Sequence, residues 1–380
     1  MSNKSSDILI VGAGPAGCTA ALALKDAGLK VVLIDKSSFP RDKVCGDAIP
    51  ARAIQTLKAI DSKFADVFKV YDKAQLIKHT DVVYNQKQLK LHWKLDAYTC
   101  PRLYFDNQLL GLVKKHTDTE ILEGITLKTI SKTEDGYALK DKDGITYNAK
   151  IVIGADGAQG ICAKQLANYT VDRDHYLGAV RAYFDNVANT KEDTIEIIMD
   201  RRFLPGYFWI FPVSPTRSNV GFGMLSADIA KRKMDLKKGL YDVIEKIPEL
   251  KSRFVQAKQI GKLEGHGLPI GSRKIQMSGE GFMLCGDAAS LVDPITGEGI
   301  GNAMLSARLA ALQAIQCIKT DSFSAQVMQQ YDTAVWGALG DELKLRTKTQ
   351  SIMSKMPFLL DWGFKLTGWE PVRRFVQSKC

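Results

Sequence analysis

Short apolar runs cut by glycine, rather than long amphipathic stretches, set the pattern of this chain. Asp7-Ile8-Leu9-Ile10-Val11 is continuous in the way of a strand buried on both faces of a parallel sheet. Glycines break it at once. Pro15 to Lys25 then reads as a helix, and Lys30-Val31-Val32-Leu33-Ile34 as a second buried strand ending at Asp35. Two later runs repeat the first, Lys150-Ile151-Val152-Ile153-Gly154 and Gly281-Phe282-Met283-Leu284-Cys285, each closing on an acid-and-glycine turn. Between them the pattern changes. Residues 74–95 predict two strands with a turn at Tyr84-Asn85-Gln86-Lys87, and 121–130, 137–140 and 145–149 predict strands separated by Glu134-Asp135-Gly136 and Lys142-Asp143-Gly144. Leu177 to Leu225 is strand-rich and aromatic. Helices are expected near 51–59, from Arg102 to Lys115, across 229–255, and over most of the chain beyond Gly301.

Two sheets therefore interleave along the sequence, and the fold class is α/β with an α+β insert. The expected organisation is a discontinuous Rossmann-type domain (1–73, 97–172 and 266–330), a strand-rich substrate domain (74–96 and 173–265) and a C-terminal helical segment (331–380). The insert would roof the Rossmann-type sheet and leave a cavity between the two, the usual place for a small-molecule site.

The breaks between runs carry the chemistry. Gly12, Gly14 and Gly17, with Ala16 among them, have G-x-G-x-x-G spacing. That spacing serves a tight turn, the approach of a pyrophosphate and close helix–strand packing. Asp35 lies about 20 residues on, where a carboxylate accepts a hydrogen bond from an adenosine ribose. Far along the chain, Gly286 and Asp287 end an apolar run, and Asp293-Pro294-Ile295-Thr296-Gly297-Glu298 leads into a helix that begins near Gly299 and Ile300. An acid there suits ribose or ribityl hydroxyls, and a helix N-terminus suits a phosphate or an electron-rich ring system. Together the two signatures predict FAD rather than NAD. With a single G-x-G-x-x-G fingerprint, NAD(P)H would bind only transiently as electron donor, or a ferredoxin would serve.

Composition changes this picture little. At 45% hydrophobic and 25% charged residues, 380 positions give an ordinary globular enzyme of two or three domains. Seven cysteines without a C-x-x-C point to neither a disulfide framework nor a metal site, so a reducing cytoplasm is expected. The first strand starts too early for a signal peptide, and the uncharged stretch Ile8 to Leu24 is short for a membrane span and broken by Gly-Pro. A net charge of +10 is spread along the chain. It predicts a solvated surface, leaves room for attraction to anionic lipid or a phosphorylated substrate, and argues against nucleic acid, for which no basic-aromatic module is present. Met356 to Trp369 is apolar and aromatic, with Arg373 and Arg374 beyond it. This tail would pack on the enzyme body or lie at a lipid interface, which makes peripheral membrane association the alternative to a purely cytoplasmic location.

On these residues the chain resembles the p-hydroxybenzoate hydroxylase superfamily of FAD enzymes, through its G-x-G-x-x-G, Asp156-Gly157 and Gly286-Asp287 signatures. Within it, Arg41-x-Lys43-x-Cys45-Gly46 is similar to the R-x-K-x-C-G-G loop of geranylgeranyl reductases. Tyr207-x-Trp209-x-Phe211-Pro212, followed by Gly221-x-Gly223, is similar to their Y-x-W-x-F-P…G-x-G cavity motif, and Pro294 to Ile300 to their flavin loop. The resemblance implies a p-hydroxybenzoate hydroxylase-like fold, Asp156 and Arg102 along the cofactor, and Cys45 and Gly46 beside the flavin. It also implies reduction of isoprenoid double bonds in a lipid-like substrate.

One position departs from the family pattern. Asp47 stands where the loop's second glycine belongs, putting a carboxylate where backbone would approach flavin or substrate. Cys45 and Asp47 are therefore the candidate proton donors, with packing as the alternative role for Cys45. Tyr207, Trp209 and Phe211 alternate along one strand and share a face, either as core or as the wall of an elongated apolar cavity with Gly221 beside it. A class A monooxygenase acting on an aromatic small molecule stays open. So, more distantly, do a halogenase, echoed in Phe208-Trp209-Ile210-Phe211-Pro212, and a non-catalytic prenyl-binding protein.

Overall fold

Runs without alternation must be covered on both sides, and in the structure they pair with one another. The computed structural model describes residues 3–85 and 87–355. Strands Phe282–Leu284, Thr146–Gly154, Asn3–Val11, Val31–Ile34 and Glu120–Leu122 lie side by side in that order, all parallel. Ile8, Leu9 and Ile10 and their neighbours Ile151, Val152 and Ile153 have no exposed surface, which is why neither strand alternates. Helices Pro15–Ala23 and Ile300–Lys319 pack together, with helix Arg102–His116 against the first of them. A hairpin, Leu127–Thr133 and Gly136–Asp141, pairs antiparallel with the first half of Thr146–Gly154.

The second sheet has the order Lys258–Pro269, Tyr176–Asp185, Arg217–Leu225, Tyr207–Pro212, Thr194–Met199, Gln75–Tyr84, Lys87–Thr99, Ala48–Ile49. It is antiparallel except where Thr194–Met199 runs alongside Gln75–Tyr84. One face buries Val180, Phe208, Ile210 and Phe222 with Leu240 and Val243 of helix Leu236–Lys246. The alternate residues Tyr207, Trp209 and Phe211 occupy the other face. Because Ala48 and Ile49 join this sheet through Thr99 and Tyr98, the loop 41–47 is suspended between the two sheets.

Strand Lys258–Pro269 has no counterpart in the sequence reading. It carries Gly261, Gly265 and Gly267 among charged residues, and its order comes from a partner, Tyr176–Asp185, rather than from its own propensity. Helix Ala325–Lys355 closes the far side, with the Tyr331 hydroxyl donating to the Leu284 carbonyl at 2.6 Å. The apolar tail after residue 355 lies outside the described residues. Among the described residues no helix is long and apolar enough to cross a membrane.

Candidate functional site

A single cavity of about 2380 Å³ lies between the two sheets and collects most of the singled-out residues. At its inner end the three motif glycines do three different things. Gly12 has φ +103°, and a Cβ there would sit 2.4 Å from the Ala155 carbonyl. A Cβ on Gly17 would lie 1.7 Å from the Gly12 carbonyl, so this position seats the helix on the loop. A Cβ on Gly14 would meet only Arg41 Nη2, at 3.6 Å, and project into open cavity. That open space, at the N-terminus of helix Pro15–Ala23, has the shape and the backbone donors that suit a phosphate.

Asp35 closes the same turn. Its Oδ2 accepts the Ala13 N–H at 2.7 Å and its Oδ1 the Ser37 N–H at 2.8 Å, leaving further lone pairs toward the cavity it lines. Asp35→Ala should weaken FAD by about 1.5–3 kcal/mol, the worth of a charge-assisted hydrogen bond, and loosen the Ala13 turn as well. Titration of apoprotein with FAD checks it; unchanged affinity would move the ribose contact elsewhere.

The second signature faces the first. Gly286 has φ +60°, and a Cβ there would press on Ala303 at 2.7 Å, so the turn lies tight on helix Ile300–Lys319. Asp287 lines the cavity 3.4 Å from Lys43 Nζ. Burial pushes its carboxyl up, but the Lys43 and Arg102 cations hold it below the ordinary value, so it is ionised. Gly299 is close by, a Cβ on it falling 3.2 Å from Asp287 Oδ1, and Ile300 borders the cavity at the start of its helix. Asp156 also lines the cavity; its Oδ2 accepts the Cys162 N–H at 3.0 Å, and burial raises its carboxyl. His266, on the edge strand absent from the sequence reading, faces the same space. Burial and then Lys43 drive its imidazole down to about 4, so it is neutral.

The loop between the sheets separates two residues that the sequence places together. Cys45 and Gly46 line the cavity, and burial, opposed by Arg102, keeps the Cys45 thiol protonated. Asp47 does not join them. Its backbone has φ +64°, the left-handed conformation that a glycine takes without cost and an aspartate tolerates. Its carboxylate is fully buried behind the loop, where Oδ1 accepts the Arg102 N–H at 3.2 Å and Oδ2 accepts from Tyr183 Oη at 2.7 Å and Asn219 Nδ2 at 2.8 Å. The expectation of an acid at flavin or substrate is corrected accordingly: Asp47 ties the loop to the second sheet. Burial raises it to about 6, with Tyr183 and Asn219 pulling the other way.

Arg102 is likewise committed within the protein. Its guanidinium grips Asp106 through Nε at 2.6 Å and Nη2 at 2.8 Å, and Arg41 Nη1 binds the same carboxylate at 2.8 Å. The four-residue spacing of Arg102 and Asp106 on a helix was the available signal for that pair.

Tyr207, Trp209 and Phe211 form a cavity wall, their ring centroids 5.9 and 6.1 Å apart in sequence order. Trp209 Nε1 donates to Asn219 Oδ1 at 3.0 Å, and Asn219 Nδ2 donates to the Cys45 carbonyl at 2.7 Å, so wall and loop are bonded together. Gly46 allows this, since a Cβ on it would lie 3.3 Å from the Phe211 ring. Gly221 is behind the wall rather than on it; a Cβ there would lie 2.1 Å from the indole, so its absence lets Trp209 lie flat. Beyond Trp209 the register runs to Ile197, Val82 and Leu89, one residue on each of three further strands, all lining the cavity. Tyr183 and Asn219 carried no local sequence signal, because each acts through partners distant along the chain, and His266 carried none because its strand has no pattern of its own. Among the described residues no cluster of His, Cys, Asp and Glu could hold a metal ion.

Comparison with known proteins gives the family and the fold. The family model described as FAD binding domain matches residues 5–333. Digeranylgeranylglycerophospholipid reductase of Methanocella arvoryzae is 27% identical over 363 residues, spanning 92% of this chain and 88% of that protein. Menaquinone reductase of Mycobacterium tuberculosis is 30% identical over 327 residues, 81% of this chain and 76% of that one. The crystal structure of a geranylgeranyl bacteriochlorophyll reductase-like protein from Thermoplasma acidophilum matches with a TM-score of 0.86 at 24% identity, covering 97% of this chain and 93% of the other.

Proposed function

This chain belongs to the FAD binding domain family, within the p-hydroxybenzoate hydroxylase superfamily, and is an FAD-dependent oxidoreductase of the geranylgeranyl reductase type; on that footing we propose that it reduces isoprenoid double bonds in an elongated, lipid-like substrate. The observation that carries this reading is the extent and lining of the cavity. Its 2380 Å³ exceeds the roughly 300–1,000 Å³ of an ordinary single-ligand site, so it has room for a dinucleotide and a second long ligand. The floor Trp209–Ile197–Val82–Leu89 crosses four strands, ~14 Å at ~4.8 Å per step, and is apolar throughout.

The open space at Gly14, the acids Asp35, Asp156 and Asp287 and the helix starts at Pro15 and Ile300 fit FAD and would hold it. Once reduced, the bound cofactor supplies hydride. The chain's own part is to seat and dry the substrate. Trp209 and Phe211 would press an isoprene unit toward Cys45, whose neutral thiol adds no charge to draw water into the cavity. The Asn219 bonds to Trp209 and to the Cys45 carbonyl would keep wall and loop at fixed spacing. Electrons would come from transiently bound NAD(P)H or from a ferredoxin.

Anaerobically reduced enzyme mixed with prenyl lipids and, separately, with aromatic acids tests the reading. Faster reoxidation by a prenyl lipid without oxygen is expected. Inertness toward every prenyl lipid, with oxygen consumed in the presence of an aromatic acid, would favour the monooxygenase instead.

The cavity's outer lining includes Trp93, Leu95 and Leu345, which are 37%, 50% and 64% exposed. Exposed apolar residues around a cavity mouth support entry from a lipid surface, with the protein peripheral to the membrane. Leu95→Glu should reduce co-sedimentation with anionic vesicles several-fold; unchanged binding would put lipid contact elsewhere.

A further inference from the structure

We propose that Glu298 is the cavity acid that supplies the proton for the reduction, an inference that rests on the alkene-reductase reading above. Glu298 sits in the loop between Asp293 and helix Ile300–Lys319 and lines the same cavity as Cys45 and Trp209. Its Oε1 accepts the Gly301 N–H at 2.6 Å, which fixes the carboxyl at the start of the helix. Two residues earlier the Thr296 carbonyl accepts a hydrogen bond from the Tyr207 hydroxyl, and Tyr207 is the first ring of the aromatic wall. The acid and the substrate wall are therefore joined through one short loop.

Other carboxyls around this part of the cavity are already engaged. Asp35 accepts two backbone N–H groups, Asp287 pairs with Lys43, and Glu342 pairs with Arg52. Asp293 Oδ1 accepts the N–H groups of Ile295 and Thr296, and its Oδ2 lies 3.5 Å from Arg346. Asp156 accepts the Cys162 N–H with Oδ2 and keeps a buried Oδ1 without a partner, but it lies against Gly12, its Cα 3.0 Å from where a Cβ there would fall, on the glycine-loop side of the cavity rather than beside the aromatic wall. Three elements present charge to Glu298: Arg52 from helix Ala51–Ile60, Asp293 from its own loop and Glu342 from helix Ala325–Lys355. Burial dominates. With Asp293 and Glu342 adding to it, burial outweighs the Gly301 N–H and Arg52, and pushes the carboxyl up to about 7. A group so placed is partly protonated at neutral pH, the condition a general acid needs. The Cys45 thiol is pushed above its ordinary range, and Asp47 is turned away from the cavity, so Glu298 is the better donor.

In the step, one alkene carbon takes up hydride from the reduced cofactor. The alkene π pair becomes the bond between the other carbon and the Glu298 proton, and the O–H electrons stay on the carboxylate. The Gly301 N–H and Arg52 stabilise that anion until solvent returns a proton, and reduced nicotinamide or ferredoxin restores the cofactor.

The test is single turnover of pre-reduced holoenzyme with a prenyl lipid across a pH series, for wild type and Glu298→Gln. Glu298→Gln should slow substrate reduction about 100-fold, the usual worth of a general acid, while FAD content and the rate of cofactor reduction stay at wild-type level. The wild-type rate should fall as pH rises through about 7, and that fall should be missing in the variant. A second readout needs no turnover. Because the folded-state carboxyl binds its proton more tightly than the unfolded one, wild-type holoprotein should lose thermal stability relative to Glu298→Gln as pH climbs from the ordinary glutamate range through about 7. Wild-type rate in the variant overturns the proposal. So does a wild-type profile that stays flat through that range, which is informative even if the variant does not fold. A wild-type enzyme inert toward all prenyl lipids removes the substrate reading and this role with it, and is told apart by the wild type alone.

Discussion

Gly14→Val should give a folded protein that leaves purification without FAD. A Cβ at this position meets nothing closer than Arg41 Nη2 at 3.6 Å, so the protein itself has room for the side chain. The room is what the pyrophosphate needs. A β-branched group there would hold the phosphates off the N–H groups at the start of helix Pro15–Ala23, losing contacts and imposing a clash together. Losing roughly 3 kcal/mol or more corresponds to at least a 100-fold fall in affinity, enough to strip the cofactor during gel filtration. Gly17→Ala is the instructive contrast. Its methyl would fall 1.7 Å from the Gly12 carbonyl, so helix and loop must separate, and both stability and FAD should be lost together. Absorbance of the purified variants and their thermal unfolding read the two outcomes. A Gly14→Val protein with full flavin content would show that the first glycine loop is not the phosphate cradle.

Those glycines were legible in the sequence because their spacing answers a requirement of the ligand, and the parallel strands because burial on both faces leaves an unbroken apolar run. What was not legible lies where the two sheets meet. Asp47 reads as a carboxylate added to a cofactor loop. Only its left-handed backbone, with Tyr183 and Asn219 136 and 172 residues away as donors, turns it from the cavity. Gly221 reads as a residue of the wall, yet its contribution is the space behind Trp209. Glu298 stands in plain sight within the flavin-loop motif. The charges that face it, however, come partly from helices Ala51–Ile60 and Ala325–Lys355, the second of which reaches the loop through Gln350 and the Pro294 carbonyl, and no local pattern announces them. Local geometry was thus readable wherever a motif fixed it, and misread wherever a distant partner decided which way a side chain points.

Trp209→Ala should cut turnover of a long apolar substrate by at least tenfold while leaving FAD bound. Trp209 is the middle ring of the wall, on the face opposite the Phe208 and Ile210 core, and it contributes none of the groups that form the phosphate cradle. A large aromatic buries about 150–250 Å². Gly221 behind it offers no side chain to refill the gap, so the isoprene unit nearest Cys45 would lose its support. The deletion also leaves Asn219 Oδ1 without its indole donor, and Asn219 holds the Cys45 carbonyl at 2.7 Å. Trp209→Phe separates these two losses, because it keeps an apolar wall and removes only the Nε1 hydrogen bond, a net loss of about 1 kcal/mol. Near-normal turnover with Trp209→Phe and a deep loss with Trp209→Ala would assign the effect to the wall. Comparable losses in both would assign it to the Asn219 link. Flavin content that falls in step with activity in Trp209→Ala would mean that the aromatic stripe is core, and that the substrate lies elsewhere in the cavity.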